Sequence, residues 1–244
     1  MPPDLRHLPD GSEVLITGGG GLIGAALGDA IGSAGHSVTS VTGGAIDVRD
    51  GSAVAELVLG CEPALIVHLA GCSDVARCAD DPELAEAVHV EGTANVLAAA
   101  AALKREPAVI CASTRHVYDQ GAGSGPLTEG APLVDTPGYA GSKARADLLV
   151  AEARSIPASS LRLTNVYGPA DPAGERLIPS VVRALTEGRA LELRASMAAE
   201  IELLHVDDAV SAYLALAAAL LADRDRFSGR AFNALWKRAY HKFQ

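Results

Sequence analysis

The chain is as informative in what it lacks as in what it contains. Its four cysteines, Cys61, Cys72, Cys78 and Cys111, form no CxxC pair and have no histidine partners at zinc-ligand spacing. That argues against a structural metal or a disulfide framework, and a reduced, cytoplasmic setting with buried thiols is expected. No dense block of Lys or Arg occurs, and 20 basic against 30 acidic residues leave a formal net charge of −10. Non-specific nucleic-acid binding, which depends on neutralising phosphates, is excluded as a first expectation. The opening residues show no charged-then-apolar signal layout. The Ala-rich stretches at Val96–Leu103 and Ala209–Ala222 are broken by polar residues and read as packed helices, not membrane spans. There is no collagen period and no internal repeat, and a hydrophobic fraction of 49% is too high for a disordered chain.

What remains is an alternation of short apolar runs with longer helical stretches. Glu13–Thr17, Ser37–Val41, Ala64–Leu69, Ala108–Ala112 and Ser159–Leu163 read as strands. Leu22–Ala34, Ser52–Leu59, Pro82–Leu103, Tyr139–Arg154 and Glu175–Glu187 read as helices, with Asp80 or Asp81 capping the one that starts at Pro82. Gln120–Pro137, rich in Gly and Pro, reads as a loop. This rhythm predicts βαβ units and an α/β fold: a Rossmann-like, doubly wound parallel sheet with ligands at the carboxyl ends of its strands.

The first strand runs into Gly18-Gly19-Gly20-Gly21-Leu22-Ile23-Gly24. Gly18 permits a tight turn, Gly21 a close approach of backbone to a diphosphate, and Gly24 close packing of helix on strand. The helix start offers free N–H groups and a partial positive charge. A ribose-binding carboxylate, or an Arg favouring a 2′-phosphate, is due near Thr42, and neither is there. Asp47 and Arg49 follow shortly, so the choice between NAD and NADP stays open, with NAD slightly favoured. Asp47 can accept from an adenine amino group or serve as a turn or capping residue.

Tyr139 and Lys143 stand at i and i+4 near a helix start, on one face. A nearby ammonium favours the phenolate, which suits general acid–base work. Thr114, at the end of the fourth strand, is the candidate hydroxyl for a substrate oxygen, with Ser113 second.

Together these segments resemble an extended short-chain dehydrogenase/reductase of the NAD(P)-dependent epimerase/dehydratase family, which works largely on nucleotide sugars. Thr17–Gly24, Asp47–Asp50, His68–Gly71, Glu91–Leu97, Ser113–Tyr118, Tyr139–Lys143, Leu161–Pro169 and His205–Asp208 carry the resemblance in family order. It implies that Thr114, Tyr139 and Lys143 are catalytic. It implies cofactor contacts from Gly18, Gly21, Leu22, Ile23, Gly24, Thr42, Asp47, Val48, Leu69, Ala70, Gly71, Lys143 and Leu163, and no metal. Substrate contacts fall to Ser73, Thr114, Asn165 and Arg176.

Departures from the family pattern narrow the expectation. Arg115-His116 stand where the dehydratase branch carries an Asp-Glu pair, so dehydration is disfavoured. Glu200-Ile201-Glu202 replace a phosphate-clamping Arg-Asp pair, for which Arg176 or Arg194 could substitute. His89, where Asn is frequent, reads as an ordinary helix residue in preference to a proton relay. Asp207 and Asp208 read as helix caps. The implied organisation is a dinucleotide-binding domain over 1–165 and a mixed region over 166–244. That region holds a small, reduced C-terminal substrate lobe and returning Rossmann elements at about 202–233. Against the family, the chain reads as short at its carboxyl end. The expected activity is oxidoreduction or epimerisation of a sugar-like, nucleotide-linked substrate by a homodimer; a catalytically silent dinucleotide sensor or scaffold is the alternative.

Overall fold

The computed structural model describes residues 8, 11–119, 127–190, 200–235 and 240–241. In chain order the elements are β1 (Glu13–Thr17), α1 (Leu22–Ser33), β2 (Ser37–Val41), α2 (Gly51–Cys61), β3 (Leu65–His68), α3 (Val75–Asp80) and α4 (Pro82–Glu86). A π turn (Ala87–Glu91) leads into α5 (Gly92–Ala101), β4 (Ala108–Thr114), α6 (Tyr139–Glu152), β5 (Ala158–Leu163), β6 (Asn165–Tyr167) and α7 (Leu177–Thr186). The remainder is β7 (Glu200–Ile201), β8 (Leu203–His205), α8 (Val206–Ala222), α9 (Arg224–Phe227), β9 (Arg230–Ala234) and β10 (Tyr240–His241).

Six strands form one sheet in the order β2-β1-β3-β4-β5-β9, with every neighbouring pair parallel. Successive residues of its central strands bury to opposite faces. Val14, Ile16, Leu65, Val67 and Ile110 pack with α1 and α8, while Leu15, Ile66 and Val109 pack with α2 and α5. The sheet is thus covered on both sides, as its near-continuous apolar strands require. The chain leaves β1 toward β2 on one side and returns to β3 on the other. The loops after β1 and β3 therefore diverge at one edge, which opens a crevice there.

Two local expectations are corrected, and a third is refined. The Pro82–Leu103 helix forms as one helical run over 82–101: Asp81 caps it through Leu84 N–H at 2.9 Å, and a π turn within it carries the buried His89. Such a turn re-aims a side chain without ending the helix. α3, only six residues long, was not anticipated; Asp74 caps it through the N–H groups of Ala76 and Arg77. Helix α8 is capped by His205, which accepts from Asp207 N–H at 3.3 Å. Asp207 and Asp208 lie inside its first turn, favourably placed for the helix dipole. The described part of the expected loop, residues 127–137, is irregular apart from a bridge between Tyr118 and Leu133; residues 120–126 lie outside the described residues.

A buried ion pair braces the sheet beneath the cleft. Arg162 on β5 donates to Asp147 on α6 at 2.6 Å and to the Tyr118 hydroxyl at 2.8 Å. Both charged side chains are almost fully enclosed, so each depends on the other for solvation.

Candidate active site

The turn after β1 is shaped by what its glycines exclude. Gly18 has φ +75°, and a Cβ there would stand 2.6 Å from the Leu69–Ala70 peptide. A Cβ on Gly24 would stand 2.5 Å from the Gly18 carbonyl oxygen. α1 begins at Gly21 with no side-chain cap and no acidic residue in its first turn. Its N–H groups and dipole therefore face the crevice unblocked. Thr17 ties the turn to β3: its hydroxyl is in hydrogen-bond contact with His68 Nδ1 at 2.7 Å and accepts from Ala70 N–H at 3.3 Å. Burial and the Lys143 charge push the His68 pKa down to about 3, so its ring is neutral and can accept.

Across the crevice, Tyr139 and Thr114 line the same wall, near enough for the Thr114 hydroxyl to favour the phenolate. Lys143 donates to the Ala112 carbonyl at 3.1 Å, and its Nζ lies 3.2 Å from where a Gly71 Cβ would stand. Burial raises the Tyr139 pKa and the Thr114 hydroxyl lowers it. Lys143 is not among the main effects on the phenol, contrary to the expectation of an ammonium-lowered Tyr. Burial lowers the pKa of Lys143 itself. The ammonium is directed at backbone on the cofactor side of the crevice.

Two imidazoles flank Tyr139 edge-on, His89 at 5.8 Å and His116 at 6.0 Å between ring centroids. His89 is not an ordinary helix residue. It is buried, its Nδ1 lies 2.8 Å from Ser142 Oγ, and its Nε2 accepts from Cys72 N–H at 3.0 Å. Nε2 also lies 3.1 Å from the Cys72 carbonyl, and the Ser142 hydroxyl donates to the Gly138 carbonyl at 2.7 Å. Nothing local in the sequence marks His89, since its partners lie 17 and 53 residues away.

Beyond the glycine turn, Thr42 directly follows β2. Asp47 accepts from both the backbone N–H and the guanidinium of Arg49, which holds its carboxyl near a pKa of about 2. Its carboxylate is therefore already engaged, and the capping duty at α2 belongs to Asp50. On the far side, Arg176 pairs with Asp171 at 3.3 Å and donates to Ser73 Oγ at 2.9 Å. Asn165 donates to the Glu202 carbonyl at 3.2 Å, while the Glu202 carboxylate pairs with Arg115 at 2.8 Å. Arg194 lies outside the described residues.

Between these elements lies one cleft of about 920 Å³. It brings together Gly18, Gly21, Leu22, Ile23 and Gly24 with Thr42, Asp47, Val48, Leu69, Ala70 and Gly71. Ser73, Thr114, Tyr139, Lys143, Leu163, Asn165 and Arg176 complete the set anticipated from sequence. Cys72, Arg77, His116 and Ile178 line it as well, without having been anticipated. Among the described residues no three His, Cys, Asp or Glu side chains converge as metal ligands, and no helix is long and apolar enough to cross a membrane.

The profile of the NAD dependent epimerase/dehydratase family matches residues 14–234. The chain belongs to that family. This epimerase/dehydratase-family chain is 27% identical over 230 residues to a UDP-glucose 4-epimerase of Mycolicibacterium smegmatis, covering 83% of this chain and 72% of that one. It is 32% identical over 203 residues to a UDP-N-acetyl-alpha-D-glucosaminuronate decarboxylase of Bacillus cytotoxicus, covering 71% and 61%. Over shorter stretches it matches dTDP-4-dehydrorhamnose reductases of Mycolicibacterium smegmatis and Streptomyces griseus, spanning 31% and 51% of their lengths. Among solved structures, the Thermus thermophilus UDP-glucose 4-epimerase in complex with NAD superposes with TM-score 0.78 at 22% identity, covering 94% of this chain and 79% of that one. RMD from Pseudomonas aeruginosa, complexed with NADPH, also gives 0.78, at 24% identity, covering 95% and 80%. These likenesses establish the α/β fold with its parallel Rossmann-like sheet.

The residues of the family chain fit a dinucleotide. The turn after β1 has no room for side chains at Gly18 or Gly24, the α1 N–H groups are unblocked, and the cleft volume suits a large cofactor and substrate.

Proposed function

We propose that the chain is an NAD(P)-dependent oxidoreductase or epimerase acting on a hydroxyl or keto carbon of a nucleotide-linked sugar. The observation that carries the reading is that Tyr139, Thr114 and Lys143 share one cleft with the glycine turn. Gly18, Gly21, Leu22, Ile23 and Gly24 would hold the diphosphate. Thr42, Asp47 and Val48 border the adenosine end, and Leu69, Ala70, Gly71, Lys143 and Leu163 the ribose and ring. Bound there, the nicotinamide supplies a hydride acceptor and donor.

Tyr139 takes the hydroxyl proton at the substrate oxygen on oxidation and returns it on reduction. Thr114 donates to the same oxygen and orients it. Lys143 holds a ribose hydroxyl. Ser73, Asn165 and Arg176 meet the substrate on the opposite wall. Arg115, paired with Glu202, and His116 stand where an acidic pair would serve dehydration, which favours oxidoreduction or epimerisation. The reading assigns cofactor and proton transfer to 1–165 and the substrate lobe to 166–244. It includes a homodimer joined through α4–α5 and α6, to be read by light scattering, and a cytoplasmic setting that keeps four unpaired cysteines reduced.

Fluorescence titration with NADH and NADPH, followed by turnover of UDP-glucose, dTDP-glucose and their keto forms, tests this function. Tyr139→Phe is expected to retain cofactor affinity and to lose about 10²–10⁴-fold in turnover. Cofactor binding with no turnover of any sugar would favour the silent sensor, and no binding would overturn the reading.

A further inference from the structure

The proposed chemistry makes no use of sulfur, yet the cleft wall contains two neighbouring cysteines. Cys72 lines the cleft and is half-buried; Cys78, on α3, is buried. The Cys78 thiol donates to the Cys72 carbonyl at 3.7 Å. The Cys72 thiol in turn donates to the Asp74 carbonyl at 3.7 Å. The Asp74 cap folds the chain back between the two cysteines, which is how residues six apart become neighbours.

Both positions are mechanically connected to the proton-transfer groups. Cys72 N–H is held by His89 Nε2. The Cys78 carbonyl lies 3.1 Å from where a Cβ on Gly138 would stand, and Gly138 directly precedes Tyr139.

We propose that Cys72 and Cys78 form a redox-modifiable pair in the cleft wall, closing to a disulfide on reaction with a low-molecular-weight disulfide such as oxidised glutathione. The accessible Cys72 thiol loses its proton to solvent, and its sulfur attacks one sulfur of the small disulfide, releasing one small thiolate. The Cys78 thiol then gives up its proton, and its sulfur attacks that of Cys72, expelling the second small thiolate. Two protein thiols are oxidised, one small disulfide is reduced to two thiols, and the two protons end on the released thiolates. Cys78 needs no solvent access, because its attack is internal. Burial pushes the Cys78 thiol up to about 12, with the Cys72 thiol adding to the effect. Cys78 is therefore the second sulfur to react and Cys72 the first. Closing the pair pulls the 72–78 turn between His89 and Gly138, so the oxidised form binds dinucleotide more weakly.

The test treats reduced, full-length chain with oxidised glutathione, blocks remaining thiols with iodoacetamide and maps tryptic peptides without reduction. Trypsin cuts after Arg77, so Cys72 falls on peptide 50–77 and Cys78 on peptide 78–104. A linked pair of these peptides is expected. Peptide 50–77 also holds Cys61, so the link must persist in Cys61→Ser and vanish in Cys72→Ser. Cys78→Ser is expected to stop at a glutathione adduct on Cys72. Full alkylation of both cysteines in wild type, or a link that survives Cys72→Ser, would overturn the pair. NADH affinity is expected to be at least about ten-fold weaker in the oxidised form and to return with dithiothreitol; equal affinities would overturn the effect on the cleft. Failure of reduced protein to bind NADH would instead overturn the proposed function, while the peptide link still decides the thiol pair.

Discussion

His89 Nδ1 lies in hydrogen-bond contact with Ser142 Oγ at 2.8 Å, across 53 residues of sequence, and so fastens the π turn to the first turn of the helix that carries Tyr139. The same ring holds the Cys72 N–H from the other side. One neutral imidazole therefore sets the spacing between the cofactor wall and the acid–base helix.

Removing that ring leaves the part-buried Cys72 N–H short of a partner, at about 1–3 kcal/mol, and opens a cavity beside Ser142, whose hydroxyl keeps the Gly138 carbonyl. His89→Ala is expected to lower unfolding free energy by about 2–4 kcal/mol in urea titrations. His89→Asn, which keeps a donor and an acceptor, should lose less. An Ala variant within about 0.5 kcal/mol of wild type would show that the bridge carries no weight.

Acid should weaken the fold before any carboxylate titrates. Burial holds both His68 and His89 near a pKa of about 3, against about 6.5 in the unfolded chain. Below about pH 6.5 the unfolded state therefore binds more protons. Stability is fully present above that pH and is lost as pH falls toward about 3, by up to about 1.4 kcal/mol per pH unit for each ring. Asp47, held near about 2, contributes only below the ordinary carboxylate range. Urea midpoints should drop between pH 7 and pH 5, and the drop should shrink in a His68→Gln, His89→Asn double variant. A wild-type profile level across that window would contradict the neutral buried rings.

Two glycines in α1 should answer oppositely to the same substitution. Gly24→Ala drives a methyl group to 2.5 Å from the Gly18 carbonyl and must open the turn. NADH binding is expected to fall by at least about ten-fold, with about 1–3 kcal/mol of stability lost. At Gly32 an added Cβ meets nothing within 4 Å, so Gly32→Ala should stabilise the helix by about 0.5–1 kcal/mol and leave binding unchanged. Parallel loss in both variants would mean that general helix disturbance, not the turn, is being measured.

Cofactor preference is open to a single change. Thr42 lies where a ribose acceptor is due, and Asp47 is occupied by Arg49. Thr42→Asp introduces an acceptor for a 2′-hydroxyl and a repulsion for a 2′-phosphate, worth about 1–4 kcal/mol for charges about 4 Å apart. The NAD to NADP affinity ratio should rise by at least about ten-fold, read by competitive NADH and NADPH titration. An unchanged ratio would remove Thr42 from the ribose site.

Much of this protein was legible in one dimension, because its determining signals are local. Strands β1 and β2 end where the apolar runs end, and the glycine spacing at 18, 21 and 24 marks the turn that no side chain can enter. Tyr139 and Lys143 share a face because a helix repeats every 3.6 residues. Sequence alone therefore determined the fold class, the glycine turn and the shared helix face of Tyr139 and Lys143. Tertiary structure decided what depends on distant partners. It made His89 a bridge, since Cys72 and Ser142 reach it only after folding. It engaged Asp47 with Arg49, and turned Lys143 toward Ala112 and Gly71 rather than toward control of the phenol. It also brought two cysteines, separated by a capped turn, into contact at the cleft wall. Periodicity and glycine sterics act along the chain, whereas hydrogen-bond pairing and burial arise between segments that the sheet brings together.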